Sequence, residues 1–178
     1  MAYGETDRLT GGSVSASSIE SGSYPASYAV DNNAGTSWRP HNGVPEWIKY
    51  DFGSGTTWAI GKVRILQVSA TYSINAFKIQ GSNNDSDWTD LYSDNYPNST
   101  AWQEYTWEEE NDYRYIRIYV SSIDGGANFG IYEWEAFEYI APTRGNFFLL
   151  LSEAYKRAKK LWTPDKKLIL PKDLGFSY

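Results

Sequence analysis

The stretch Tyr113-Arg114-Tyr115-Ile116-Arg117-Ile118-Tyr119-Val120 alternates between two kinds of side chain with a period of two residues. In an extended chain this period places Ile116, Ile118 and Val120 on one face, and it places Tyr115, Arg117 and Tyr119 on the other. A strand that is apolar on one face is typical of an antiparallel sheet with one side packed on a core. The stretch therefore predicts a half-buried strand.

Six further short segments on either side of this stretch have strand character. Each is rich in β-branched and aromatic residues and is bounded by Gly, Pro, Asn, Asp or Ser. They are residues 47–52, 59–68, 76–81, 88–92, 101–107 and 131–139. No amphipathic helical pattern interrupts the chain between Ser13 and Ile140. Seven such strands predict an all-β fold, an antiparallel β-sandwich.

The composition limits the chemistry that the chain can perform. Its 178 residues include no Cys and one His, so disulfides, thiolate metal sites and cysteine nucleophiles are excluded. A serine triad would need His41, yet no Gly-x-Ser-x-Gly elbow occurs in the sequence. The acidic run at residues 108–110 is typical of a solvated turn and does not suggest a pair of glycosidase carboxylates. We therefore expect a binding module and not an enzyme.

Charge divides the chain into two parts. Residues 1–140 hold 8 Lys and Arg against 19 Asp and Glu, a net charge of -11, whereas residues 141–178 hold 8 against 3, a net charge of +5. This shift predicts a domain over residues 1–140 and a basic arm over residues 141–178. An acidic domain argues against a nucleic-acid partner, because phosphate binding needs Lys and Arg. We also expect no membrane partner, since the chain has no long apolar run and no basic residues around apolar loop tips.

The arm has the pattern of an amphipathic helix that begins near Asn146 and ends at Thr163-Pro164. Its apolar residues recur at spacings of three and four: Phe148, Leu151, Tyr155, Ala158 and Trp162. A helix of about 15 residues is marginal alone in water. We therefore expect residues 144–178 to dock on another protein chain. The alternative is that the basic arm folds back on its own acidic domain.

Several pieces of the sequence, taken in order, resemble the discoidin and coagulation-factor type C domains, and most of all the family 32 carbohydrate-binding modules. They include Ser15-Ala16-Ser17-Ser18, residues 24–38 with Asp31-Asn32-Asn33-Ala34-Gly35-Thr36, and Trp47-Ile48-Lys49-Tyr50-Asp51-Phe52-Gly53. Residues 77–83, 88–92, 113–118 and 131–135 continue the resemblance, which covers residues 11–140. It implies a galactose-binding-like fold, an antiparallel jelly-roll β-sandwich, followed here by the C-terminal arm.

The resemblance also implies a structural Ca²⁺ between the Asp-x-Asn-x-x-Thr loop and a Glu on the last strand. The ligands would be side chains of Asp31, Thr36 and Glu133 and carbonyl groups of Tyr28, Asn33 and Tyr132. Such a set contains only oxygen, which suits a hard cation and argues against zinc or copper. The alternative is that Asp31 and Asn33 make an ordinary Asx-type turn while Glu133 is solvated.

By the same resemblance, a ligand would bind in the loops at one end of the sandwich, here residues 39–46, 70–75 and 124–130. The candidate residues are Arg39, His41, Asn42, Tyr72, Asn75, Asn128 and Phe129. Sugar recognition needs a ring for the C–H face and a few polar groups for the hydroxyls, and Phe129 is the ring that we expect. The alternatives are that Phe129 packs under its own glycine-rich loop and that His41 is a surface residue. No Arg lies between Val68 and Phe77, so galactose specificity is not predicted.

The leading hypothesis for function is a glycan-binding adhesion module that recognises a cell-surface glycan. The expected location is extracellular or on a virion surface. The N-terminal residues lack the pattern of a signal peptide, and together with the lack of Cys and the basic arm this suits a phage or virion surface protein. The alternative is a structural or decoration protein of a larger assembly, such as a phage particle, with no glycan ligand.

Overall fold

A computed structural model describes residues 2–41, 43–71, 73–126 and 128–141. All of these residues belong to one unit of the chain, Met1–Ala141. The predicted arm helix and docking segment at residues 144–178 lie outside the described residues.

Eleven β-strands form within the described residues. They are β1 (Ala2–Tyr3), β2 (Ser13–Ala16), β3 (Glu46–Asp51), β4 (Ile60–Gln67), β5 (Ser73–Ile74), β6 (Ala76–Ser82), β7 (Thr89–Asn95), β8 (Gln103–Thr106), β9 (Tyr115–Val120), β10 (Ile123–Asp124) and β11 (Ile131–Ile140). A short 3₁₀ helix, Ala26–Val30, lies between β2 and β3. No helix of the described part is long and apolar enough to cross a membrane.

The strands form two main antiparallel sheets. One has five strands in the order β2-β3-β9-β6-β7, and the other has four in the order β1-β11-β4-β8. A small third sheet pairs β10 with β5. This architecture confirms the predicted all-β antiparallel sandwich.

The seven segments that were predicted as strands are all strands, which confirms those predictions. In β9 the alternation is as expected, because Ile116, Ile118 and Val120 are buried while the residues between them are partly exposed. The short strands β1, β2, β5 and β10 were not predicted. Two to four residues carry too little periodicity to reveal a strand, and these strands form because distant parts of the chain supply their partners.

The core lies between the two main sheets. It is formed by apolar side chains that project inward from both of them, and the largest fully buried ones include Trp38, Trp134, Phe77, Ile48, Ile65 and Ile118. Aromatic contacts extend the core toward β7 and β8, where Phe77 and Tyr105 meet edge to face at 4.9 Å between ring centroids. The sheets therefore form a rigid support for the loops at either end of the sandwich.

Candidate functional site

Three chain segments meet where β4 ends and β11 begins. Trp38 and Ile131 exchange two backbone hydrogen bonds of 2.9 and 3.0 Å, and the N–H of Val68 donates to the carbonyl of Gly130 at 2.9 Å. A Cβ atom at Gly130 would lie only 2.8 Å from a methyl group of Val68 and 3.1 Å from Cγ of Arg39. The absence of a side chain at Gly130 therefore allows the three segments to approach each other closely.

A concavity of about 310 Å³ opens at this junction. Its walls are formed by Glu20, Arg39, Val68, Ser69, Asn128, Phe129 and Gly130. The volume is at the lower end of the range of about 300–1,000 Å³ that is usual for small-molecule sites. The concavity combines apolar wall with a few charged and amide groups, which is the pattern expected for a sugar subsite.

Arg39 supplies a cation to this concavity. Its guanidinium carbon lies 4.2 Å from the centroid of the Tyr24 ring, and its Nε–H donates to Oγ of Ser37 at 3.3 Å. Among the described residues Arg39 forms no ion pair with a carboxylate. The guanidinium is thus held by an aromatic stack and retains N–H groups for hydrogen bonds to a ligand.

Phe129 is the buried ring in the lining of the concavity. It is 2% exposed and packs edge to face against Trp38, with ring centroids 5.6 Å apart. This burial departs from the expectation of an exposed ring on which a sugar stacks, because a face that packs on the core is closed to a ligand. Phe129 therefore contributes to the shape of the concavity more than to a stacking surface.

The other candidate residues from the three loops take different places. Asn128 is in the wall, whereas His41 is exposed, lies outside the wall and donates its backbone N–H to Oγ of Ser18 at 2.9 Å. Asn75 also lies outside the wall, and its side-chain amide donates to Asp124 at 3.0 Å, which ties the second loop to the third. Asn42 and Tyr72 lie outside the described residues. The structure thus brings Arg39, Asn128 and Phe129 together.

Glu20, Val68 and Ser69 are wall residues that the sequence did not reveal. Glu20 reaches the site because its backbone N–H donates to the carbonyl of Arg39 at 2.8 Å, a contact between residues 19 positions apart. Val68 and Ser69 directly follow β4, so their position depends on the pairing of β4 with β11. None of these contacts leaves a local pattern in the sequence.

The second loop is positioned from the core by Gln67, the last residue of β4. Gln67 is 1% exposed, and its amide oxygen accepts the backbone N–H of Ile74 at 3.1 Å. Its amide nitrogen donates to the carbonyl of Ser99 at 2.9 Å. This buried polar side chain therefore fixes the base of the loop that precedes β6, since a buried amide without partners would be costly.

The predicted calcium loop folds around two carboxylates. Asp31 accepts the hydroxyl of Thr36 at 2.8 Å and the backbone N–H of Asn33 at 3.0 Å. Glu133 accepts the same N–H of Asn33 at 2.5 Å and thereby joins β11 to the loop. Four of the six predicted ligands, Asp31, Asn33, Thr36 and Glu133, thus lie together, while Tyr28 is in the adjacent 3₁₀ helix and Tyr132 precedes Glu133.

The electrostatics of this loop fit a cation. Glu133 is 5% exposed, and burial, together with the nearby carboxylate of Asp31, raises its pKa to about 7. A buried pair of carboxylates is costly unless a proton or a cation compensates the charge. The described residues contain no group of three or more Asp, Glu, His or Cys that could hold a metal. Any cation here would need neutral oxygens beside the two carboxylates, as Ca²⁺ accepts.

Outside the concavity, several aromatic rings lie on the outer face of the five-stranded sheet. Arg117 on β9 lies 4.0 Å from the centroid of the Trp88 ring and 5.3 Å from that of Tyr119. Lys49 on β3 lies over Trp47 and forms an ion pair with Asp85 at 2.6 Å. Cations of the protein itself already lie over these rings, so this face offers less free aromatic surface than its composition suggests.

Solved structures of similar fold include several carbohydrate-binding modules. Chitosan-binding module 2 from a chitosanase/glucanase of Paenibacillus sp. IK-5, in complex with chitotriose, is 25% identical with a TM-score of 0.64, over 73% of this chain and 98% of that one. The family 32 module of Clostridium perfringens NanJ, in complex with galactose, is 20% identical with a TM-score of 0.63, over 74% and 96%. The family 32 module of AlyQ, in complex with 4,5-unsaturated mannuronic acid, is 24% identical with a TM-score of 0.62, over 71% and 95%.

The similarity to the NanJ and AlyQ modules shows the fold alone, because the sequence identity is below 25% in both cases. No curated protein matches the chain. The F5/8 type C domain family matches residues 13–134, which is more than half of the chain. This chain therefore belongs to the F5/8 type C domain family.

Proposed function

We propose that the described domain is a non-catalytic glycan-binding module and that a sugar occupies the concavity between Arg39, Asn128 and Gly130. The observation that carries this proposal is the meeting of the first and third loops around a small concavity at one end of the sandwich. Loops on a rigid scaffold are a common place for binding residues.

The similar structures support a sugar as the ligand. The three modules are in complex with chitotriose, galactose and 4,5-unsaturated mannuronic acid. These modules are binding domains, which supports a non-catalytic role for this chain as well. Because their ligands differ in charge, they support the class of ligand without indicating which sugar this chain prefers.

The wall residues are suited to a pyranose. The guanidinium of Arg39 donates hydrogen bonds to sugar hydroxyls, and the side-chain amide of Asn128 both donates and accepts. Val68 and Phe129 are the apolar side chains of the lining, and they would contact sugar C–H groups. In this arrangement the polar groups select the orientation of the hydroxyls, and the apolar side chains exclude water.

We further propose a structural Ca²⁺ between Glu133 on β11 and the loop that begins at Asp31, directly after the 3₁₀ helix. The two carboxylates and the hydroxyl of Thr36 would hold the ion, and carbonyl groups of Tyr28, Asn33 and Tyr132 would complete an all-oxygen set. The cation would offset the repulsion between Asp31 and Glu133. It would fasten β11 to the loop and take no part in chemistry.

We also propose that the module is displayed on a cell surface or a virion, where it acts in adhesion or host attachment. The support for this role is the family itself, with the basic arm at residues 141–178 as the segment that would dock on a partner chain. A cell-surface glycan is then the ligand, and residues 144–178 join the module to its assembly.

A glycan array probed with the full-length protein tests the proposed function. We expect hits that weaken about fivefold to tenfold in Asn128→Ala, the effect of one lost hydrogen bond of about 1–1.4 kcal/mol. Asn95→Ala is the matched control, because Asn95 is exposed on β7 and its side chain has no hydrogen-bond partner among the described residues. An array without hits at high protein concentration would refute glycan binding.

A further inference from the structure

The wall of the concavity carries one carboxylate and one guanidinium, and neither forms an ion pair in the described part of the chain. Glu20 is exposed, and its carboxylate accepts no hydrogen bond and forms no ion pair within residues 2–41, 43–71, 73–126 and 128–141. Arg39 in the same wall is different, because its guanidinium stacks on Tyr24 and donates to Ser37. The carboxylate of Glu20 is therefore the charge of this wall that no protein contact holds, and it is free for a cationic group of a ligand.

The rest of the domain adds to this negative charge. Residues 1–140 carry 19 Asp and Glu against 8 Lys and Arg. Six of the eight cations are paired with carboxylates, namely Arg8, Lys49, Lys62, Arg64, Lys78 and Arg114. Most carboxylates are left without a Lys or Arg partner in the described part of the chain. A domain with such an excess attracts cationic ligands and repels anionic ones.

We propose that the concavity binds an amino sugar with a free ammonium group and that Glu20 accepts hydrogen bonds from this ammonium. This inference rests on the proposed glycan-binding function and adds the charge class of the glycan. The negative field of the domain brings a polycationic glycan to the site, and Glu20 holds one ammonium there. Arg39 and Asn128 then bind the neutral hydroxyls of the same sugar residue.

Three oligosaccharides of equal length separate the possible charge classes. Titration calorimetry on the full-length protein would compare a glucosamine trimer, an N-acetylglucosamine trimer with the same linkage, and a uronic acid trimer. We expect the glucosamine trimer to bind about tenfold more tightly than the acetylated trimer, because acetylation removes the charge and the ammonium donors. Binding of the uronic acid trimer is expected to be the weakest of the three. The preference for the glucosamine trimer over the acetylated trimer should also decrease as salt is added.

The variant Glu20→Gln removes the free carboxylate and keeps its size. We expect it to weaken glucosamine binding about threefold to fivefold, as for an exposed ion pair, and to weaken binding of the acetylated trimer by a smaller factor. Glu110→Gln is the matched control, because it makes the same change of charge at an exposed position. Glu110 follows Trp107, which bonds to Gly61 at the start of β4, whereas the concavity lies beyond the far end of that strand.

The outcomes distinguish this inference from the proposed function. If all neutral and charged trimers bind equally, and Asn128→Ala weakens each of them, the glycan site stands and the amino-sugar inference is wrong. Equal losses in Glu20→Gln and Glu110→Gln would also overturn it, since attraction would then be non-specific. If no sugar of any charge binds, both the function and the inference are wrong.

Discussion

At the scale of single residues, the approach of Glu133 to Asp31 determines the chemistry of the oxygen-rich loop. Both side chains contact the same backbone N–H of Asn33, and burial raises the pKa of Glu133 to about 7. The two residues are 102 positions apart in the chain, so no local pattern could bring them together. Their pairing was predicted because the sequence around each resembles a known family.

Calcium is expected to raise the melting temperature of the protein. A ligand that binds only the folded state adds about 2.7 kcal/mol when its concentration is 100 times its Kd. Glu133→Gln should abolish this gain, whereas Glu135→Gln on the same strand should keep it, because Glu135 is paired with Arg64 away from the loop. Thermal unfolding with added calcium or with EDTA measures the effect. Equal melting temperatures of the unmodified protein under both conditions would contradict a calcium site.

Phe129 illustrates what the sequence could not settle. A Phe in a glycine-rich loop suits either an exposed binding ring or a packing residue, and only the contact with Trp38 decides between them. Because it is 2% exposed, Phe129→Ala is expected to lower the free energy of unfolding by about 3–5 kcal/mol. Denaturant unfolding of this variant checks the value. Phe129→Leu should lower the free energy of unfolding much less. A Phe129→Ala variant as stable as the parent would show that the ring is not packed.

At the scale of elements, strand prediction succeeded where a segment is long enough to show its period and failed where it is not. β4 and β11 carry clear patterns, whereas β5 and β10 have two residues each. Yet β5 pairs with β10 and thereby joins the second loop to the third. The sequence could thus indicate which loops carry the site but not how they are tied together.

The junction of three segments at Gly130 gives a prediction for Gly130→Ala. The new Cβ would lie 2.8 Å from Val68, 3.1 Å from Arg39 and 3.2 Å from the carbonyl of Trp38, so the wall of the concavity must shift. We expect glycan affinity to fall about fivefold or more and stability to fall by about 1–3 kcal/mol, the usual cost of overpacking. Calorimetry and thermal unfolding measure the two effects.

Gly22→Ala is the control for this change. Nothing lies within 4 Å of a Cβ at Gly22, and its backbone does not require glycine. This variant should match the parent in affinity and in stability. If Gly130→Ala also matched the parent in both, the close packing of the three segments would be contradicted.

At the scale of the whole molecule, the acidic domain and the basic arm were separated by composition alone. Residues 1–140 contain the strands and the core described above, and residues 144–178 were predicted to dock on another chain. Removal of the chain after Ile140 should therefore change the melting temperature by less than about 2 °C, the shift expected for less than 1 kcal/mol. Assembly with the partner chain should be lost.

Analytical ultracentrifugation and thermal unfolding of the truncated protein test this division. Glycan affinity is expected to be unchanged, because every described wall residue of the concavity lies before Ile140. A truncated protein that melts much lower while its assembly state is unchanged would show that the arm stabilises its own domain and would overturn the docking prediction.

The most direct test of the central claim is to locate the bound sugar by NMR. Backbone amide signals of the full-length protein would be followed while a glucosamine trimer, an N-acetylglucosamine trimer or galactose is added. We predict that at least one sugar shifts the signals of Glu20, Arg39, Ser69, Asn128 and Gly130, while those of Trp47, Trp88 and Arg117 on the outer sheet face stay in place. Shifts confined to that sheet face, or no shifts with any of the three sugars, would contradict a glycan site in the concavity.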